Sequence, residues 1–168
     1  SVTDAIHVYT RSDSCGAADT WAKYLGKKQE NLLGTGVYGD PGLLAAVKSD
    51  PLAIGYNNIG YAYDVETKAQ VDGIKVVPID INGDGQLGTE ENFYDTKDKL
   101  DSAILQGIYP FPPARNEYLV TKNAFTGATK NFVKWILTDG QQYVEAAGYV
   151  RLPQDFLNAE LANRTIFA

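Results

Sequence analysis

The chain has 168 residues, 44% hydrophobic and 21% charged, which suits a globular α/β-sized domain with a real core and excludes a fibre or repeat array. Its 15 Lys and Arg against 21 Asp and Glu leave a net charge of −6. That balance disfavours broad contact with nucleic acid or anionic lipid, so any bound anion must be held locally. A single cysteine and a single histidine exclude an internal disulfide and the usual four-ligand zinc site. With Ser1 first and no methionine anywhere, the chain reads as a processed product or a piece of a longer one.

Taken in order, Ala5 to Thr10 is rich in β-formers and predicts a strand, followed by the polar loop Arg11 to Gly16. Ala17, Trp21, Tyr24 and Leu25 recur at helical spacing, and Gly26 supplies a stop, so a helix is expected from Gly16 to Leu25. Asp40 as N-cap, Pro41 at the first helical position and Pro51 beyond the end predict a second helix. Ala53 to Tyr56 is expected as a buried strand and Ile74 to Ile79 as another, leading into the loop Asp80 to Glu91 and a helix that Gly107 ends. Tyr109 to Pro113 carries three prolines and reads as a stiff connector. A strand at Glu117 to Thr121, a helix through Phe132 and Ile136, a further helix ending at Gly148 and a last one opened by Pro153 complete the pattern. Strands interleaved with helices predict an α/β fold, a mixed sheet flanked by helices.

Two segments carry chemistry. At Arg11 to Ala17 a strand feeds a loop at a helix start, where amide protons lack intrahelical partners and the dipole favours an anion. Arg11 would add a bidentate fork, and Gly16 would let the backbone come close. Asp13 would repel a fully ionised ligand yet could accept a hydrogen bond from one that keeps a proton, as hydrogen phosphate does. The competing reading is a surface Arg11–Asp13 pair, with Asp13 or Ser14 capping the helix. A catalytic Cys15 is disfavoured, because cysteine phosphatases place the arginine after the nucleophile and here Arg11 precedes it.

The segment Arg11-Ser12-Asp13-Ser14-Cys15-Gly16-Ala17 resembles the Arg-x-Asp-x-Ser-Gly-Thr loop of the phosphate-binding proteins of high-affinity phosphate ABC transporters, which have the type II periplasmic binding protein fold. Ala53-Ile54-Gly55-Tyr56, after the glycine-rich stretch Gly34 to Gly42, is similar to a further family segment. So is the stretch from Phe132-Val133-Lys134-Trp135 to Ala147-Gly148-Tyr149-Val150-Arg151-Leu152-Pro153. The resemblance implies a C-terminal half. Residues 1–115 would form the second lobe, with a calcium-type loop inserted at 80–91, and 116–168 the returning strand and helices that pack on a missing N-terminal lobe. It implies a non-catalytic solute-binding component of an importer, acting with ABC transporter membrane subunits outside the cytoplasm, periplasmic or at the cell surface. Arg11, Asp13, Ser14, Cys15, Gly16 and Ala17 would bind phosphate or a similar oxyanion. Cys15 and Ala17 stand where the family has Ser and Thr, so two hydroxyl donors are lost or weakened. A lobe missing its partner would expose Phe156, Leu157 and Leu161, and self-association, as a homodimer for example, is expected.

The second segment, Asp80 to Glu91, fits the calcium-loop pattern: Asp80, Asn82 and Asp84 at positions 1, 3 and 5, Gly85 at 6, the Gln86 carbonyl at 7 and Glu91 at 12. A structural calcium ion is expected there, although a strand rather than a helix enters the loop and a metal-free turn is the alternative. A calcium-stabilised extracellular interaction module that keeps the fold without the anion is the second functional reading. Asn163-Arg164-Thr165 also fits the N-glycosylation pattern.

Overall fold

The computed structural model describes residues 4–163. The chain divides into two compact units, Ser1–Arg115 and Asn116–Ala168.

In the first unit a three-stranded sheet has the order β2-β1-β3, with β1 at His7–Arg11, β2 at Thr35–Val37 and β3 at Ala53–Ile54. Both pairings are parallel, Tyr9 lying opposite Thr35 and His7 opposite Ala53. Helix α1 (Gly16–Tyr24) connects β1 to β2, and α2 (Gly39–Ser49) connects β2 to β3. Parallel neighbours need such crossovers, which places the start of each helix at the carboxyl end of the preceding strand. The α/β class is as expected. The sheet, expected to be mixed, is parallel in its three strands; antiparallel pairing among the described residues is confined to the isolated bridges Tyr63–Gln70 and Ala69–Thr96.

Ala18 and Ala22 of α1 and Leu43 of α2 are buried. A second cluster joins Tyr63, Phe93, Tyr94, Leu100 and Ala103, the last two from α4 (Lys97–Leu105), with Ile59 and Ala62 of the short helix α3 (Ile59–Ala62) against it. Gly107 closes α4 at φ +70°, a conformation that favours glycine.

Three local expectations are corrected, and one further strand is found. Ile74 to Ile79 has no regular secondary structure and is no strand, because side chains take two of its amides: Val76 donates to Gln70 Oε1 (2.9 Å) and Ile79 to the Tyr94 hydroxyl (3.1 Å). The strand at Ala53 to Tyr56 shrinks to two residues, and Ile54 is exposed. Asp40 does not cap α2: Tyr38 occupies the N-cap position and Asp40 lies inside the helix. The short strand β2 was not anticipated, since a three-residue Thr-Gly-Val segment offers no alternation to read.

The second unit holds α5 (Gly127–Leu137), a 3-10 turn (Asp139–Tyr143) and α6 (Gln154–Ala162). Val133, Phe125 and Leu157 are buried. The turn folds back on α5, where Gln141 Nε2 donates to the Ile136 carbonyl (2.8 Å) and the space a Cβ on Gly140 would need is taken by Trp135. Glu117 to Thr121 is exposed and without regular secondary structure, and it forms no strand among the described residues. The expected helix ending at Gly148 is that 3-10 turn followed by hydrogen-bonded turns. Phe156 is exposed as expected, but Leu157 is only 3% exposed and Leu161 is half-buried. The glycosylation pattern at 163–165 reaches outside the described residues.

Candidate functional site

β1 ends at Arg11, and the loop from Ser12 turns the chain into α1. The backbone N–H of Arg11 donates to the Tyr56 hydroxyl (3.1 Å), which also hydrogen-bonds Thr10 Oγ1 (2.7 Å). The Arg11 side chain is 7% exposed. Its Nε–H donates to Asp13 Oδ1 (2.8 Å), one Nη2–H to Asp13 Oδ2 (2.5 Å), and one Nη1–H to Asp40 Oδ1. Asp13 Oδ1 also accepts the Gly39 amide (3.1 Å) at the start of α2. The guanidinium and that amide hold the Asp13 carboxyl well below the usual carboxylate range, and Asp13 pushes the Arg11 guanidinium higher still. Of five guanidinium N–H groups three are used, which leaves one on each terminal nitrogen.

The helix cap is Cys15, in extended backbone, whose Sγ accepts the Ala18 amide (3.4 Å). The alternative with Asp13 or Ser14 as the cap is thereby corrected: Asp13 is committed to Arg11 and Gly39. The Gly16 and Ala17 amides have no intrahelical acceptor. Gln29 braces the loop, donating to the Asp13 carbonyl (2.7 Å) and accepting the Cys15 amide (3.3 Å). Ser14 and Gly16 are exposed, while Cys15 and Ala17 are half-buried. All six loop positions thus lie at one corner, the carboxyl end of β1 against the start of α1.

Sequence reasoning missed Asp40 as an arginine partner, Gln29 as a brace and Arg115 as a neighbour. The Arg115 guanidinium lies against Gly16, its Nη1 1.7 Å from where a Cβ on Gly16 would sit. Nothing local announces Gln29 or Arg115. Asp40 was legible only as a cap, because its partner is 29 residues away.

The loop Asp80 to Glu91 is exposed except at its end, where Glu91 is 2% exposed. Glu91 Oε1 accepts the amides of Ile81 (2.7 Å) and Asn82 (3.0 Å), and Oε2 that of Gly88 (3.2 Å). Asp80 accepts the amides of Gly83 (2.6 Å) and Gly85 (2.8 Å), and Asp84 that of Gln86 (2.8 Å). Gly83 and Gly85 sit at φ +77° and +76°, as the sharp turn requires. Among the described residues no three His, Cys, Asp or Glu side chains gather in a metal-holding group.

A family model described as "PBP superfamily domain" matches residues 2–140. The chain is 26% identical over 179 residues to "Phosphate-binding protein PstS3" of Mycobacterium bovis, covering 91% of this chain and 48% of that protein. It is 27% identical to "Phosphate-binding protein PstS 3" of Mycobacterium leprae over the same shares. "Phosphate-binding protein PstS" of Methanocaldococcus jannaschii is 30% identical over 150 residues, 73% of this chain and 37% of that protein. The chain therefore spans about half the length of the mycobacterial relatives, 48% of each. No solved structure matches. No helix among the described residues is long and apolar enough to cross a membrane.

Proposed function

The chain belongs to the PBP superfamily, and we propose that it forms the C-terminal half of a solute-binding component that delivers phosphate or a similar oxyanion to an ABC importer. The observation that carries this reading is the Arg11 guanidinium, clamped at the carboxyl end of β1 beside the first turn of α1 with two N–H groups still to give. Together with the Gly16 and Ala17 amides it offers the donor set an oxyanion needs. The names of the relatives support phosphate as that oxyanion. In this reading 1–115 is the second lobe and 116–168 the returning segment, the protein works outside the cytoplasm, and it releases its ligand unchanged.

Asp13 acts here through Arg11. Its two oxygens are taken by the guanidinium and an amide, so it fixes the fork in place, and reading the ligand's proton is at most a further use of a remaining lone pair. Calorimetry with inorganic phosphate and with sulfate tests the assignment. Heat with phosphate that Arg11→Ala abolishes is the expected result, and equal binding by both proteins would overturn it.

We also propose a calcium ion on the loop Asp80 to Glu91. The spacing of oxygen ligands supports it, as does a carboxylate, Glu91, held inward at the closing position. The Asp80 and Asp84 oxygens that accept an amide, and Glu91 Oε2, each keep a second lone pair.

A further inference from the structure

We infer that Tyr56 and Asn57, two consecutive residues beyond β3, are positioning residues that set the place of the Arg11 guanidinium from both ends of its bond to Asp40. The inference rests on the anion reading of Arg11 and names what keeps its fork in line with the ligand.

The first end is the backbone of Arg11. Ser12 donates its amide to the Val37 carbonyl of β2 (3.0 Å), and because successive strand amides point to opposite sides, the Arg11 amide faces the β3 side. β3 stops short of it, pairing only with His7 and Val8. The Tyr56 hydroxyl takes the place of the absent strand, accepting the Arg11 amide (3.1 Å) and sharing a hydrogen bond with Thr10 Oγ1 (2.7 Å). Its support is firm. The Tyr56 ring stacks on Trp21 of α1 at 6.0 Å, and Trp21 stacks on Tyr24 at 5.3 Å. Just before it, a Cβ on Gly55 would lie 3.2 Å from Val47 of α2 and 3.4 Å from the Tyr9 carbonyl.

The second end is Asp40, which accepts a hydrogen bond from Arg11 Nη1. Asn57 Nδ2 donates to the Asp40 carbonyl (2.9 Å), and Asn57 Oδ1 accepts the Asn58 amide (2.9 Å). The Asn57 side chain is thus engaged through both its polar atoms. One dipeptide therefore holds the backbone that carries the guanidinium and the backbone that carries its carboxylate partner, 29 positions apart in the chain. A directed N–H donor weakens steeply as its angle opens. Loss of either tie should therefore appear in the ligand contact as well as in stability.

The test joins calorimetry with inorganic phosphate to nuclear magnetic resonance of the Arg11 Nε–H and its exchange with water. Both are measured on the unsubstituted chain and on Tyr56→Phe, Asn57→Ala, Arg11→Ala and Tyr63→Phe, well below each melting temperature. Arg11→Ala assigns the resonance by its loss. Tyr56→Phe keeps the ring on Trp21 and removes only the hydroxyl, and Asn57→Ala leaves that hydroxyl in place. Each should weaken binding about fivefold, as the loss of one hydrogen bond does, and each should speed Arg11 Nε–H exchange. Tyr63→Phe is the control. It removes a buried hydroxyl from the second core cluster, so it should lower the melting temperature and leave both readouts unchanged. A merely structural role for Tyr56 and Asn57 predicts that same pattern for all three variants. Unchanged phosphate affinity in either Tyr56→Phe or Asn57→Ala, while Arg11→Ala loses binding, overturns this inference alone, as does an equal loss in Tyr63→Phe. Absence of binding by the unsubstituted chain, or binding indifferent to Arg11, overturns the anion reading and this inference with it.

Discussion

Asp40, in the first turn of α2, accepts a hydrogen bond from the guanidinium of Arg11, the last residue of β1. The pairing ties the carboxyl end of the central strand to the helix that follows β2. Asp13 grips the same guanidinium from the other side, so Arg11 arrives at the site already immobilised. Binding then costs little side-chain entropy.

Arg11→Ala should therefore remove a preorganised fork and lower phosphate affinity by roughly 30-fold to 150-fold, about 2 to 3 kcal/mol for a charge-assisted contact. Arg11→Lys should recover little, because a point charge cannot span Asp13, Asp40 and ligand at once. Calorimetry reads both, and wild-type affinity in the lysine variant would show that charge alone suffices.

Asp13 gives a pH dependence of fixed sign. Its folded-state pKa lies below the unfolded value of about 3.9. The stabilisation from its pairing is thus complete above that value and is lost as pH falls through the folded-state pKa. Thermal unfolding should show the full, pH-independent contribution of this pair at neutral to mildly acidic pH and a decline below about pH 4 that Asp13→Asn makes shallower. An unchanged acid limb in the variant would place the acid sensitivity elsewhere.

How much of this was legible beforehand follows from where the partners lie. The strand, loop and helix at His7 to Tyr24 are local, and periodicity with a glycine stop suffices to read them. Ile74 to Ile79 has the composition of a strand, yet Gln70 and the Tyr94 hydroxyl take its amides, a competition no β-propensity records. Asp40 followed by proline is a sound cap signal, and a guanidinium delivered from β1 outbids it. Arg115 could be found only once the chain was folded, because its position against Gly16 is set by tertiary packing.

Tyr63 anchors the second core cluster. It is 1% exposed, and its hydroxyl donates to the Tyr94 carbonyl (2.8 Å), which also accepts Gln70 Nε2 (2.8 Å). Tyr63→Phe leaves that carbonyl satisfied and should cost about 1 kcal/mol. Tyr63→Ala opens a cavity beside Phe93 and Leu100 and should cost about 3 to 5 kcal/mol. Urea unfolding separates the two, and similar losses would mean that the hydroxyl, not the ring, carries the energy.

The second unit displays an aromatic row on its surface. Phe132 and Trp135 stack at 6.0 Å and Trp135 and Tyr143 at 5.9 Å, with exposures of 59%, 43% and 57%. Exposed rings in a contiguous row favour association. Sedimentation should show self-association that rises with concentration, and Phe132→Ser with Trp135→Ser should suppress it. A strict monomer at high concentration would count against an exposed interface.

The calcium proposed for the loop Asp80 to Glu91 makes the most discriminating prediction. Asp80, Asp84 and Glu91 bring three carboxylates into one turn of the chain, Glu91 nearly buried and the other two exposed. A cation shared between them would offset their repulsion and bind only the folded loop, so the melting temperature should climb as free calcium passes its dissociation constant. A segment without regular secondary structure, not a helix, enters this loop, so it lacks the preorganisation of a paired helix-loop-helix, and affinity should fall in the weak extracellular range of about 0.1 to 1 mM. Magnesium should substitute poorly, since its rigid octahedron makes little use of a bidentate carboxylate. Because Glu91 also accepts three amides, Glu91→Gln will lower the melting temperature on its own account. The calcium-induced shift is therefore the quantity to compare. Asp84→Asn, whose carbonyl oxygen can still accept the Gln86 amide, removes one ligand charge from an exposed position and should reduce the shift without loss of the fold. If calcium and chelator give the same melting temperature for the natural sequence, the loop is held by its amides alone.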